Sequence, residues 1–556
     1  MPNRTLRPGP VPIMKPTPKP VCRTLAAALA LALTAGCTIR PEPLSDDEHR
    51  ARVAEDRKAI ASEFVPVSAP LTLPEAIARA LKYNYENRLA LMESVLQDRQ
   101  LSVANFAMLP RLAVNAGYSA RDNDLASVSQ DVYPERHPRE NNYQTSNDRA
   151  HHFADLTFTW NLLDFGVGYY QARQQADRVL VARERRRKVV NNIVKEVTAA
   201  YWRAATAERL LPQVRPVLAR AEQALRASRS IEQDQLQPLI PTLEYRRNLL
   251  QVVGQLRKLA ADLEVSKAQL AGLINVPAGA PLPIAVPTRS EALPGAMQAS
   301  LEQLETVGLH YRPDLREEAY QARIDRLGVR KEMIRLLPGL SLLGSTSYDS
   351  NSYLLNRTWA EAGVRATWNL VNLAAGPSTI DAAEAQVEVD LWRRRALSIA
   401  AIVQINVAWQ QYRRALDGYD SADALNDIEG KLLRAVANAE TAEAQSGFDR
   451  IRRELSALSA QLDRDRALAE LYAALANVYV SVGIDPYDGP IDGVELPEMT
   501  RTVAANLALW RAGRLPEAAL KAATEAAVPP AAPATADQPV PTPATAPKLA
   551  DTGASR

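Results

Sequence analysis

The chain repeats one long pattern twice. The tetrapeptide Thr159-Trp160-Asn161-Leu162 recurs as Thr367-Trp368-Asn369-Leu370, at a spacing of 208 residues. Upstream, Leu109-Pro110 recurs as Leu337-Pro338 at a spacing of 228 residues, so the extra residues of the first half lie between Pro110 and Thr159. Each half is predicted to contain a helix, a short strand, a polar loop, a second strand, a very long helix, a turn and a further long helix. A duplicated unit of this kind favours a symmetric assembly over a catalytic cleft.

The N-terminus has the features of a secretory signal that ends at a cysteine. Basic residues precede an apolar run over 25–33, and Thr34-Ala35-Gly36-Cys37 follows it. This arrangement predicts a signal peptide over 1–36. The end of the signal resembles the lipobox of bacterial lipoproteins, which predicts that Cys37 carries a lipid anchor such as palmitate; a chance cysteine after an ordinary signal is the alternative. Thr38, in place of an aspartate, favours sorting to the outer membrane.

Charge and cysteine content narrow the class of protein. The formal net charge of +2 falls to about −3 when the signal and its basic residues are removed. The mature chain is therefore not expected to have a strongly basic surface for nucleic acid. Since Cys22 leaves with the signal, Cys37 is the remaining cysteine, and no disulfide is expected within one mature chain.

Composition and periodicity divide the rest of the chain into five segments. Residues 37–70 are predicted as a lipidated linker, 71–290 as the first repeat, 291–485 as the second repeat, 486–524 as a C-terminal periplasmic segment and 525–556 as a tail. Ala, Pro and Thr dominate the tail. Such a composition cannot bury a core, so the tail is predicted to be disordered, with contact to peptidoglycan or a partner as the alternative.

Three segments alternate between apolar and other residues with the period of a β-strand: 112–120, 154–160 and 360–368. In the second segment Leu156 faces one side and Thr157 the other. Each segment is roughly ten residues long, which crosses a bilayer when a strand is tilted, and one polar face suits a water-filled lumen. Soluble half-buried sheets alternate in the same way, so the strands alone do not decide between the two.

Very long amphipathic helices follow the strands. Apolar residues recur in steps of four and three over 193–225 and again over 249–274. A helix over 168–227 would be roughly 90 Å long, a span that suits the periplasm. Pro212 and Pro216 lie inside it and predict a kink or a short interruption.

The strands also predict self-association. The mature sequence has no run of about twenty apolar residues that would form a transmembrane helix. Four short strands cannot close a barrel alone, because small closed barrels need about eight. The chain is therefore expected to share a barrel with copies of itself, and three copies would supply twelve strands.

With these motifs in this order, the sequence resembles the TolC family of outer-membrane factors over about residues 71–485. The resemblance rests on the opening Leu71-Thr72-Leu73-Pro74-Glu75, on the helix-to-strand switches at Leu109-Pro110 and Leu337-Pro338, and on the strand-to-helix switches that begin at Trp160 and Trp368. It implies a mainly α fold with a small β part. A duplicated helix-strand-strand-long hairpin unit would assemble as a homotrimer, with a twelve-stranded β-barrel on a long α-helical periplasmic tunnel.

The same resemblance implies a function and partners. Family members are passive exit ducts of tripartite efflux pumps or type I secretion systems, with no enzymatic activity and no cofactor, opened by an inner-membrane transporter and a periplasmic adaptor (membrane fusion) protein. The chain is then expected in the outer membrane of a Gram-negative bacterium, among outer-membrane lipid, with most of its length in the periplasm. The alternatives are a periplasmic adaptor, which has a single hairpin, and a structural coiled-coil lipoprotein, which leaves the strands unexplained.

The predicted periplasmic tip departs from the family pattern. Family tips commonly carry a Gly and then a hydrophobic-acidic run; here Gly447 is followed by Asp449, Arg453 and Glu454, with Arg453 where an acid is common. The first-half tip has no Gly and contains Asp234. These five residues are the candidate tip or gate. Their charges either pair between neighbouring helices or simply face water.

Other conspicuous residues are assigned structural roles. Trp160 and Trp368 stand at strand ends, where aromatic rings commonly anchor at a membrane interface; stacking on a substrate is the alternative. His151-His152 lacks the spacing of metal-ligand motifs, so no metal site is predicted. The basic run over 183–188 is predicted to be a solvated helical face.

Overall fold

The computed structural model describes residues 41–62, 64–128, 143–233, 239–277, 279–286, 293–441, 447–491 and 493–526. The predicted signal peptide, Cys37, Asp234 and all but the first two residues of the predicted tail lie outside these ranges. The chain divides into a short N-terminal unit, which ends at Phe64, and a large unit from Val65 onward. In the short unit, helix α1 (Asp46–Ser62) begins with three acidic residues and buries none of its side chains.

The first half of the large unit begins with two helices that share one capping residue. Helix α2 (Leu73–Tyr83) starts after Thr72, whose hydroxyl accepts a hydrogen bond from the backbone N–H of Glu75 at 3.4 Å. Asn84 ends α2 and begins α3 (Tyr85–Phe106), because its side-chain oxygen accepts from the N–H of Glu86 at 2.9 Å. Both helix starts are thus capped by side chains that lie directly before them in the sequence.

Strands and a long helical hairpin follow. Strands β1 (Arg111–Ala120) and β4 (Ala150–Asn161) flank a loop that contains the short hairpin of β2 (Ala126–Val128) and β3 (Tyr143–Thr145), which the sequence did not predict. The hairpin of long helices comprises α4 (Leu162–Gln233) and α5 (Leu239–Leu273).

The second half repeats this order. It contains α6 (Leu301–Tyr311), α7 (Pro313–Arg335), β5 (Gly339–Asp349), β6 (Thr358–Thr367), α8 (Leu370–Thr441) and α9 (Gly447–Ser481). The long helices α4 and α8 have 72 residues each, and the return helices α5 and α9 have 35 each. Two further helices, α10 (Leu496–Arg511) and α11 (Glu517–Ala526), complete the described chain.

The long helix α4 is not interrupted at its prolines. The helix continues through Pro212 and Pro216, so the short interruption predicted there does not occur. Neighbouring residues explain why: Leu210, Leu211, Val214 and Val217 belong to a buried cluster formed with α5 and α9. Burial of these side chains offsets the backbone hydrogen bonds that the two prolines remove.

Helix α4 lies in the middle of the protomer. It packs against α3, α5, α7 and α9, whereas α8 packs mainly against α9 and α7. The C-terminal helices cover the two short helices of the repeats, α10 on α2 and α11 on α6. Among the described helices, none combines the length and the apolar character needed to cross a bilayer.

Candidate assembly surfaces and helical tip

The main sheet has two open edges. Its order is β1-β4-β5-β6, and every pair is antiparallel. In the described part of the chain, β1 and β6 each have a strand on one side only. Open edges of this length are exposed rows of N–H and C=O groups, which pair readily with another strand.

The strand register places the predicted faces on common sides of the sheet. Leu156 lies opposite Val114 on one side and Thr346 on the other, while Thr157 lies opposite Ala113 and Ser345. Ser345 in turn pairs with Glu361. Because directly paired residues share a face, Thr157, Ser345 and Glu361 form a polar row, and Leu156 stands with Val114 on the more apolar side. Leu156, Val114 and Val364 are all exposed in the single chain.

Apolar residues are exposed on the helices at both flanks of the protomer. Helix α3 exposes Leu89, Met92, Leu96, Val103 and Phe106. On the other flank, α8 exposes Val389, Trp392, Ile399, Val403 and Val407, with Trp392 at 65% and Ile399 at 66% exposure. Contiguous apolar surface of this extent marks an interaction surface, and the two flanks are different surfaces.

Both strand-to-helix switches use the same cap. Asn161 and Asn369 each accept hydrogen bonds from the second and third following N–H groups, at 2.9 and 3.3 Å in the first half and 3.0 and 3.2 Å in the second. The preceding tryptophans differ. Trp160 is partly buried and makes an edge-to-face contact with Phe165, whereas Trp368 is 51% exposed and donates its indole N–H to the carbonyl of Leu336 at 3.0 Å.

At the tip, Glu454 joins the two hairpins. Its carboxylate pairs with Arg220 of α4 and, at 3.2 Å, with Arg450 of its own helix. Arg453 is half-buried on the same helix, which begins at Gly447. The side chain of Asp449 lies outside the described residues, as does all of Asp234. A second ion pair between the hairpins joins Arg209 to the buried Asp465, about three turns farther from the tip along α9 than Glu454.

The basic run over 183–188 is only partly a solvated face: Arg183, Arg185 and Lys188 are exposed, whereas Arg186 and Arg187 are half-buried. Arg185 and Lys188 bond to Glu317 of α7 at 2.8 and 2.6 Å, and Arg187 bonds to Asp485 at 2.7 Å. Burial acts to raise the pKa of Glu317, but the hydrogen bonds from Lys188 and Arg185 outweigh it and hold the pKa of Glu317 below its usual range. Burial raises the pKa of Asp485 in spite of Arg187. The run therefore fastens α4 to the second half of the chain.

A buried carboxylate in α8 was not predicted. Asp390 is 1% exposed and lies 3.6 Å from the guanidinium of Arg393, which is also 3.9 Å from Glu318 of α7. Burial and the nearby Asp325 raise the pKa of Asp390, and burial raises that of Glu318. The available signal was an acid among the apolar residues Val389, Leu391 and Trp392.

The histidines at the start of β4 do not form a metal site in the described structure. His151 bonds through Nδ1 to Asp349 at 2.8 Å, which ties β4 to the end of β5. Across the described ranges there is no group of three or more His, Cys, Asp or Glu side chains arranged to hold a metal ion.

Solved structures resemble this chain over most of its length. No protein-family model and no curated protein matches the sequence. The CmeC outer-membrane channel of Campylobacter jejuni aligns with a TM-score of 0.59 and 13% identity, over 85% of this chain and 98% of that one. The MtrE channel of Neisseria gonorrhoeae, in its open state, gives 0.55 and 20% over 74% and 89%. VceC of Vibrio cholerae gives 0.54 and 13% over 74% and 96%.

The chain has the TolC-like fold. The CmeC and MtrE structures are outer-membrane channels. The mainly helical chain with a small sheet is as the sequence predicts. In this TolC-like chain, the open strands β1 and β6 and the apolar flanks of α3 and α8 are the surfaces available for assembly.

Proposed function

We propose that the chain forms a homotrimeric exit channel in the outer membrane, as part of a tripartite efflux pump or a type I secretion system. The observation that carries this proposal is the open four-stranded sheet. A sheet with two unpaired edges is unstable in a bilayer, where no water is available to bond to the exposed backbone groups. Closure with other copies removes both edges.

The strand directions support closure by rotation. With four strands that alternate in direction, β6 of one copy runs antiparallel to β1 of a neighbour related by an axis through the barrel. The helical flanks support the same arrangement, because the α3 surface of one copy would contact the α8 surface of the next. Contacts between two different surfaces produce a ring when the rotation closes.

The number of strands favours three copies over two. Two copies would supply eight strands, and the interior of a barrel with about eight strands is filled by side chains or one small ligand. Three copies would supply twelve strands and leave room for a water-filled lumen lined by the polar row of Thr157, Ser345 and Glu361. The resemblance of the fold to known outer-membrane channels supports the same number.

The long helices would form the periplasmic part of the duct. At about 1.5 Å per residue, the 72 residues of α4 and of α8 extend about 108 Å. We infer that the tips, with Gly447, Asp449, Arg453, Glu454 and Asp234, face a periplasmic adaptor protein and an inner-membrane transporter. The duct is passive, and the Arg220–Glu454 pair is among the contacts that hold its tip closed.

The anchor is a separate part of the proposal. A lipid on Cys37 would hold the N-terminus in the outer membrane while the strands insert independently. Mass spectrometry of the N-terminal peptide is expected to show an acylated Cys37, and Cys37→Ser to lose the lipid while retaining assembled channel. An unmodified wild-type peptide would refute the anchor and leave the channel untouched.

Ion conduction tests the channel itself. The purified chain in a planar bilayer is expected to give discrete conductance steps. Glu361→Lys, on the polar row, should shift the reversal potential in a salt gradient toward anions, whereas Glu264→Lys, exposed on α5 and outside the sheet, should shift it less. Absence of conductance steps, or identical reversal potentials in all three proteins, would contradict a water-filled lumen at this face.

A further inference from the structure

The junction between α7 and α8 brings three acids together around one arginine. Asp390 of α8 is 1% exposed, Glu318 of α7 is also buried, and Asp325 of α7 is half-buried and in side-chain contact with Asp390. The guanidinium of Arg393 lies 3.6 Å from Asp390 and 3.9 Å from Glu318. With every acid ionised, these four side chains carry a net charge of 1 − 3 = −2. Such a charge is costly to bury.

The hydrogen bonds at this junction leave one buried oxygen of Asp390 unsatisfied. Gln386 donates its side-chain N–H to Oδ1 of Asp390 at 3.1 Å, and Gln321 donates in the same way to Asp325 at 3.2 Å, each from the preceding turn of its own helix. In the part of the chain that the structure describes, Oδ2 of Asp390 is buried without a hydrogen-bond partner. Two ionised carboxylates can only accept, so Asp325 satisfies this oxygen only if one of the two acids is protonated.

A single proton on Asp390 removes both difficulties. The protonated Oδ2 can donate to the carboxylate of Asp325, and a hydrogen bond between an acid and a carboxylate is among the strong ones. The net charge of the four side chains then falls to −1. Burial and the contact with Asp325 both raise the pKa of Asp390, while Gln386 and Arg393 act to lower it.

The other charged groups around this pair come from α7 and α4. Glu318 lies beside Glu317, and burial raises the pKa of Glu318 although Arg393 acts to lower it. From α4, Arg185 and Lys188 bond to Glu317 at 2.8 and 2.6 Å. These two cations therefore hold Glu317 in its ionised form, and the shared proton is assigned to the pair of aspartates.

The first half of the chain builds the equivalent junction, between α3 and α4, without these acids. The repeat has an offset of 208 residues for the long helices and 228 residues for the helices before the strands. At these offsets the three acids correspond to Ala182, Gln97 and Ala90. Gln97 accepts a hydrogen bond from Gln175 of α4 at 2.9 Å, a neutral contact that does not titrate. The packing of the repeat therefore does not require acids at this place.

We propose that one proton, shared between Asp390 and Asp325, holds α8 against α7, and that its loss as the pH rises loosens the junction. The proton leaves Oδ2 of Asp390 for water, which it reaches through the half-buried Asp325, and two adjacent carboxylates that repel each other remain. The α7–α8 junction thus responds to pH, whereas the α3–α4 junction does not. The inference does not depend on the channel function.

Hydrogen–deuterium exchange of the full-length protein, followed by mass spectrometry, tests this proposal. Rates are measured from about pH 4 to about pH 8 and corrected for the intrinsic pH dependence of amide exchange. Opening of the junction releases one proton between the pKa of Asp390 in the open junction and its raised pKa in the closed one. In that window the corrected rate over residues 386–394 should rise by up to about tenfold per pH unit. The equivalent segment of α4, residues 178–186, is the internal control and should show no such rise.

Two conservative variants separate a shared proton from other causes of pH dependence. Asp390→Asn and Asp325→Asn each replace the shared proton by an amide N–H that does not titrate, so exchange over 386–394 should stay slow at every pH. Asp381→Asn, exposed on the same helix, should keep the wild-type rise. A wild-type rate that is flat with pH, an equal rise over 178–186, or a rise that persists in both Asn variants would each overturn the proposal. Faster exchange in both Asn variants than in the wild type at pH 4 would also overturn it, because ionised aspartates beside Arg393 would then hold the junction.

Discussion

The two long helices, α4 and α8, have the same length and occupy equivalent positions in the two halves of the repeat. Helix α4 is enclosed by other helices of the chain, whereas α8 is not. Helices α4 and α8 have 72 residues each and correspond at an offset of 208 residues. On the face that packs against the neighbouring helices they agree: Val197 and its counterpart Ile405 are both fully buried. This buried face, which both helices share, packs against other helices of the same chain.

The helices differ on a second face. Ile399, Val403 and Val407 of α8 are exposed and apolar, whereas the equivalent positions of α4 hold Asn191, Lys195 and Ala199. On α4 these positions are polar or small, and Asn191 is buried within the single chain. The edge helix keeps them although they face solvent in the single chain, which is costly unless another copy covers them. The difference between the two helices therefore supports the α8 face as the surface for the proposed assembly.

The largest expected effect comes from a charge on that second face. Ile399→Asp should abolish assembly, because an unpaired carboxylate would be buried between copies. Lys195→Asp, at the exposed α4 position equivalent to Val403, should leave assembly intact. Size-exclusion chromatography with light scattering measures both. Equal assembly of the two variants would show that the apolar face of α8 is not an interface.

A charge on the strands should have the next largest effect and distinguish their two faces. Leu156→Arg should destabilise the assembled barrel by about 2 to 4 kcal/mol near the bilayer midplane, whereas Thr157→Arg on the polar row should be tolerated. The yield of heat-resistant oligomer on a gel gives the comparison. If both variants lose oligomer to the same extent, the assignment of the lipid face is wrong.

Asp390 gives a smaller effect with a defined pH dependence. Burial raises its pKa, so the folded state binds the proton more tightly than the unfolded state. The contribution of Asp390 to stability is greatest at pH values below its pKa in the unfolded state. This contribution is lost as the pH rises through its pKa in the folded state. Asp390→Asn mimics the protonated form and should stabilise the protein by about 1 kcal/mol at pH 7.5, with little effect at pH 4.

Thermal unfolding at the two pH values tests this expectation. Asp381→Asn is the control, since Asp381 is exposed on the same helix and should change the midpoint little at either pH. A variant Asp390→Asn that is less stable than the wild type at pH 7.5 would indicate that the Arg393 ion pair outweighs the cost of burial.

The tip should show the smallest change in stability but a measurable change in conductance. Glu454→Gln removes the pairing with Arg220 and Arg450 and should cost about 0.5 kcal/mol, while raising single-channel conductance by loosening the join between the hairpins. Glu264→Gln, which loses a more exposed pair with Arg215, should leave conductance unchanged.

Salt gives an independent test of the same pair. Added salt should raise the wild-type conductance beyond the increase in bulk conductivity, because partly exposed pairs are screened. The Glu454→Gln channel should lack that excess. Conductance that is equal in the wild type and the variant at both low and high salt would show that the Glu454 ion pairs do not hold the tip closed.

Much of the fold follows from local sequence. The caps at Thr72 and Asn84, the strand period around Leu156 and the steps of four and three along α4 each depend on residues close in sequence. The features that were missed depend on distant residues. The ion pairs of the basic run at 183–188 could not be assigned because Glu317 and Asp485, its partners, are more than 120 residues away. Pro212 and Pro216 remain helical because α5 and α9 bury their neighbours.

The candidate site was predictable to a similar degree. The repeat identified the tryptophans at the strand ends, and the family resemblance identified Gly447, where α9 begins. It could not assign Glu454 to Arg220, which lies 234 positions earlier and meets it only when the hairpins pack. Nor did it show that α8, and not α4, carries the exposed face, since that depends on which long helix becomes central.

Native mass spectrometry of the detergent-solubilised, full-length assembly tests the central claim most directly, because it counts chains. The account predicts one dominant species of three copies, which supplies twelve strands from four per chain. The Ile399→Asp variant should appear as single chains in the same measurement. A wild-type protein that is monomeric, or that assembles as two or four copies, would contradict a barrel that is closed by three copies of the chain.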